Sequence, residues 1–257
     1  MIVATAYMPL SIARDDRFFL TMAIIMALIN VAGFSLQLAM GRSSFVAPWT
    51  VHAHALIFFG WTAFYVLQSA LVAGGSIALH RRLGWIGAGW AVVIVLVGIA
   101  TTVMMVRRGT TPFFFQPAFF LFMNSLSVLA FGGLVTAAIR LRRRTDWHRR
   151  LLFCAMAVLT GPAWGRLLPM PLMIPWAAWG VFVAVMLFPL AGMIADKRRT
   201  GVVHRAWWWG AGAIMATQVA MGVVAFSAPG LALYAAVTRG TPGAARPPLE
   251  FPPFPGR

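Results

Sequence analysis

Two imidazoles interrupt an otherwise apolar and aromatic stretch, "APWTVHAHALIFFGWTAFYVLQSA" at residues 47–70. Neutral imidazole ligates haem iron and copper, and it also hydrogen-bonds the carbonyl of a bound ring. On a helix of 3.6 residues per turn, His54, Trp61 and Gln68 recur every seven residues and drift by only about 20° per step, so they share one face with Tyr65 close by. His52 stands about 200° round the helix from His54. The two imidazoles therefore face different neighbours and do not close on one ion. If a haem or copper is held, His54 or His52 is the ligand, yet no second transmembrane histidine completes a bis-histidine haem site.

Other polar groups fall at a similar depth. Counting at about 1.5 Å per residue from the expected span ends, Gln37, Thr101 and Gln116 lie within ~5–8 Å of the same membrane boundary as His54, with Arg166 near it. Polar groups in lipid need partners, and such a layer makes a natural cavity floor. The candidate cofactor-binding set is His54, His52, Trp61, Gln37, Thr101, Gln116 and Arg166. Its chemistry suits a quinone, a pigment or a haem. The competing reading makes the histidines packing residues with satisfied hydrogen bonds.

The elements that position these residues follow from composition. The chain has 257 residues, 61% hydrophobic and 10% charged. Segments longer than the ~18–20 apolar residues that cross a bilayer recur along it. They predict an all-α polytopic bundle of about seven spans: 17–41, 48–74, 83–106, 113–139, 151–168, 172–195 and 206–228. The chain divides into an interfacial lead-in at 1–16, a seven-helix bundle at 17–228 and an outer tail at 229–257, proline-rich from about 241 and extended or disordered. All of it belongs to one integral membrane domain.

The net charge of +16 invites a nucleic-acid reading, but the basic residues cluster at span ends. With the N-terminus inside, 14 of the 21 Lys and Arg fall on the inner side, which places the C-terminus outside. Three span entries open on a His-Arg pair: "LHRRLGW" at 79–85, "WHRRLLF" at 147–153 and "VHRAWWW" at 203–209. Anchoring to headgroups accounts for His80, Arg81, Arg82, His148, Arg149, Arg150, His204 and Arg205. The expected partners are membrane lipids and other membrane subunits, with no nucleic acid.

The fifth span is the irregular one. Gly161, Pro162, Gly165, Pro169, Pro171 and Pro175 shorten it and bend it near Pro162. The five acidic residues, Asp15, Asp16, Asp146, Asp196 and Glu250, lie outside the expected spans, which argues against a transporter coupled to protons or sodium. Neither a zinc-protease HExxH nor a GxSxG elbow is present, and the lone Cys154 excludes an intrachain disulfide.

The blocks "RDDRFFLTMA", "VAGF", "HAHALIFFGWTAFYVLQSALVAGG", "LHRRLGWIGAGWAV" and "HRRLLFCAMAVLTGPAWGRLLP" resemble a widespread group of predicted multi-pass bacterial membrane proteins with no established activity. The resemblance spans residues 14 to 200 and is most specific at "LHRRLG". It implies a bacterial inner (cytoplasmic) membrane protein and transfers no catalytic residue. Two functions remain open at this stage. One is a cofactor- or lipid-binding subunit of an electron-transfer or light-harvesting complex. The other is a non-catalytic structural or assembly subunit.

Overall fold

The computed structural model describes residues 10–42, 46 and 49–254. Nine α-helices are found among them, and no strand. They are α1 (Leu10–Ala39), α2 (Trp49–Ala73), α3 (Ile77–Arg108), α4 (Pro117–Arg140), α5 (Thr145–Leu159), α6 (Gly161–Leu167), α7 (Ala177–Thr200), α8 (Arg205–Ala225) and α9 (Ala228–Thr238). Six of these, α1 to α4, α7 and α8, are long and apolar enough to cross a membrane. The remaining expected span is shared by α5 and α6, neither of which suffices alone.

The division between α5 and α6 has a local cause. Pro162 has no N–H to continue the ladder, and the Thr160 hydroxyl turns back to the Ala157 carbonyl at 2.6 Å. Thr160 itself keeps right-handed helical angles, so the chain is interrupted without reversing direction.

Several helices extend further than hydropathy alone implies. α1 begins at Leu10, so residues 10–16 of the expected lead-in are helical. α3 begins at Ile77 and carries His80, Arg81 and Arg82 within its first turns. Backbone hydrogen bonding continues past the point where the side chains turn charged. The described part of the tail forms α9, a short 3₁₀ turn at Pro242–Ala245 and an extended strap to Phe254. Gly109 closes α3 with a φ of 66°. There the left-handed conformation lets its N–H reach the last turn without a Cβ clash.

α5 is the central helix and packs against α4, α7, α8 and the start of α1. Its residues Arg150, Leu151 and Phe153 to Ala157 are all buried, whereas the outer helices carry one buried face. Phe153 meets Trp207 edge-on at 5.0 Å and Trp61 meets Phe131 at 5.3 Å, which ties α5 to α8 and α2 to α4. A second core of Phe115, Phe120, Leu121, Met170 and Tyr234 lies beneath the tail. Leu28, Leu56, Leu96, Leu187 and Val223 remain exposed on the outer faces, where lipid is the fitting neighbour.

Candidate functional site

Contacts sort the polar residues into two ends of the bundle. One end gathers the starts of α1, α3, α5 and α8 with the end of α7, and is called the basic end below. The opposite end gathers the ends of α1 and α3, the start of α2, and α6.

At the opposite end four of the seven expected residues converge. His54 Nδ1 lies 3.2 Å from the Thr101 hydroxyl, and its ring stacks on Phe58 at 4.2 Å, one turn along α2. The Gln37 amide donates to the Arg166 carbonyl at 3.5 Å, joining α1 to α6. The Arg166 guanidinium donates to the Pro162 carbonyl at 2.7 Å and lies over the Phe34 ring at 4.1 Å. Phe34 also meets Phe59 of α2 edge-on at 5.1 Å, so the two pairs stand on helices that pack together at this end. Among the described residues no carboxylate pairs with Arg166. A cation held on an aromatic face beside an amide and an imidazole suits a carbonyl-bearing or anionic head group.

α6 reaches this position because α1 lets it approach. A Cβ at Gly33 would stand 2.8 Å from the Ala163 carbonyl oxygen, so glycine is needed where the two backbones touch. Beside that crossing, the Trp164 indole N–H is buried without a partner.

The other three expected residues lie elsewhere. His52 is exposed, on a different side of α2. Trp61 sits deeper, in the main core, with its indole N–H buried and unpartnered. Gln116 turns to the tail and donates to the Leu249 carbonyl.

The basic end is a network of paired charges. Asp196 is 2% exposed and Arg150 4% exposed; they form a two-point pair, Nε–Oδ2 at 2.9 Å and Nη2–Oδ1 at 2.8 Å. Trp207 donates its indole N–H to the same carboxylate at 2.8 Å. Arg149 joins Asp15 and also Asp146, the latter at 2.7 Å, while Arg199 joins Asp15. α1, α5, α7 and α8 are thus clamped by side chains spread along the sequence.

Headgroup anchoring fits only part of its expected set. Arg81, Arg82 and Arg205 are exposed. Arg150 and Arg149 are instead committed to carboxylates inside the protein. His148 bonds the Ala138 carbonyl at 2.9 Å, and His204 caps α8 by accepting from the Ala206 N–H at 3.1 Å. These four side chains thus have partners within the protein.

Asp196 is the residue that the sequence reading misplaced. It lies inside α7, on the buried face that carries Phe188, Gly192 and Met193. Its four-residue spacing from Gly192 and eight from Phe188 was the available signal. Buried Asn30, which donates to Thr62 at 3.2 Å, was also overlooked.

Comparison with known proteins finds no matching family, no matching curated protein and no matching solved structure. The functional reading therefore rests on geometry and chemistry.

Proposed function

We propose that this chain is a bacterial inner-membrane protein that binds an amphiphile with a carbonyl-bearing head, a quinone being the best fit. The head group sits among Gln37, His54, Thr101 and Arg166, and the protein serves as a subunit of an electron-transfer complex. The α5–α6 pair acts as a seventh crossing. The basic end faces the cytoplasm, in line with the bias of Lys and Arg between the two ends.

The observation that carries this reading is the Arg166 guanidinium, half-buried on Phe34 with no described carboxylate against it. A cation at that depth gains when an electron-rich head group supplies the missing acceptor. Haem fits less well. Axial ligation would fall to a single imidazole, because His80, His148 and His204 belong to the other end.

A specific contact favours a second reading. Stacking on Phe58 and the bond to Thr101 already give His54 a complete structural role, as expected of a structural or assembly subunit without a cofactor. One experiment separates the two. Gently purified protein is examined by absorption in oxidised and reduced forms, and a solvent extract is analysed for quinone and pigment. The binding reading expects quinone in fixed proportion to the chain, reduced severalfold in Arg166→Leu and His54→Ala at unchanged folded yield. Bulk lipid alone in all three samples leaves the structural reading standing.

A further inference from the structure

The recurring His-Arg entries have a consequence that head-group anchoring does not cover. His80 from α3 and His148 from α5 meet at the basic end, with ring centres 6.3 Å apart and planes at 78°. The His148 ring has one nitrogen tied to backbone. His148 Nδ1 lies 2.9 Å from the Ala138 carbonyl. A carbonyl only accepts, so Nδ1 carries the proton and Nε2 presents a lone pair. His80 Nδ1 is buried with no hydrogen-bond partner. In the tautomer that carries the His80 proton on Nε2, its Nδ1 also presents a lone pair.

Two lone pairs do not satisfy each other. Beside them, Gln68 is only 9% exposed, and both its side-chain Nε2 and Oε1 are buried without partners. Two imidazoles sharing an ion at metal–nitrogen distances of about 2.0–2.1 Å have ring centres roughly 6 Å apart. A ligand nitrogen whose opposite N–H is fixed by a carbonyl is also the usual support of a metal-bound histidine.

We propose that His80 Nδ1 and His148 Nε2 ligate a monovalent copper ion, with Gln68 Oε1 as a weak third donor. Imidazole suits copper, and an amide oxygen is a known distant ligand to it. The ligand set is neutral, and among the described residues no three His, Cys, Asp or Glu side chains gather as a metal-binding group. Arg81 and Arg82 stand close by in sequence, so the ion that adds least positive charge is the one best tolerated. The site is separate from the amphiphile pocket and does not depend on it.

The test uses the full chain in detergent under reducing, anaerobic conditions, titrated with Cu(I) against a chromophoric chelator. One copper per chain is expected. His80→Phe and His148→Phe weaken it at least tenfold, Gln68→Leu weakens it less, and Gln68→Met restores it through a thioether. His54→Ala and His52→Ala leave it unchanged. X-ray absorption on the unsubstituted protein keeps the proposal testable if the histidine variants misfold, and a low-coordinate shell of nitrogen is expected. Copper held no better than by His80→Phe/His148→Phe overturns the proposal, leaving a bridging water as the occupant. A sulfur-dominated shell, Zn(II) bound in preference to Cu(I), or copper lost on changing His54 also overturns it.

Discussion

The two ends of the bundle treat arginine in opposite ways. At the basic end Arg149, Arg150 and Arg199 are matched by Asp15, Asp146 and Asp196, so their charges join helices. At the opposite end Arg166 rests on an aromatic ring and one backbone carbonyl, with no described carboxylate. A charge already paired within the fold has little left to offer a ligand. A charge held without a counter-ion retains that capacity. The contrast separates a structural clamp from a recognition site made with the same residue type.

The largest effect tests the clamp. Asp196→Ala takes the two-point partner from buried Arg150, leaving it only the 3.3 Å contact to the exposed Asp146, and is expected to cost about 3 kcal/mol, read as lost folded yield or a lower unfolding midpoint in detergent. Replacing both partners, Arg150→Met with Asp196→Leu, should recover most of that loss, since a fitted apolar pair removes both desolvation penalties. If the double variant is as unstable as Asp196→Ala, the Trp207 bond to the carboxylate matters more than the ion pair.

Gly33→Ala comes next and links stability to recognition. Its methyl group meets the Ala163 backbone, so α6 must move away from α1 at a cost of about 1–3 kcal/mol. Co-purifying quinone should fall with it, because Gln37 and Arg166 lie on the two helices forced apart. Arg166→Leu sharpens the comparison from the other side. It should change the unfolding free energy by less than about 1 kcal/mol while removing ligand, the reverse of Asp196→Ala.

The smallest effect is a pH dependence at the basic end. Burial, followed by the Arg150 charge, holds the His204 imidazole below its ordinary range. The folded state therefore takes up a proton less readily than the unfolded chain, and stability falls as pH drops through about 6.5. The cap gives the same sign, since protonated Nδ1 cannot accept from Ala206. His204→Asn keeps a capping acceptor and should flatten that part of the stability–pH curve. An unchanged slope would assign the dependence to another group.

Hydropathy made the spans and the helical class legible, because twenty apolar residues in a row have few other uses. The proline and glycine cluster marked the fifth span as irregular near Pro162, and the break falls at Thr160. His54 and Thr101 were placed at similar depth by counting residues, and they meet. Depth does not reveal which helices are neighbours. The Arg150–Asp196 pair joins positions 46 apart, and the Gln37–Arg166 bond spans 129. Gln116 has the expected depth yet faces the tail, because the strap between Arg246 and Phe254 folds back over α4. Hydropathy also stops at the first charged residue, whereas a helix stops where its hydrogen bonds fail, so α1 and α3 both begin early.

That strap sets an order of assembly. The start of α4 is completed by carbonyls synthesised long after it: Ala118 donates its N–H to Pro248 at 2.9 Å, and Gln116 reaches Leu249, 133 residues later in the chain. Until translation delivers that segment, the first turn of α4 holds polar groups that only solvent or an assembly factor can occupy. The start of α4 is closed by residues made more than a hundred positions after it, much as a lid is fitted after the box has been built.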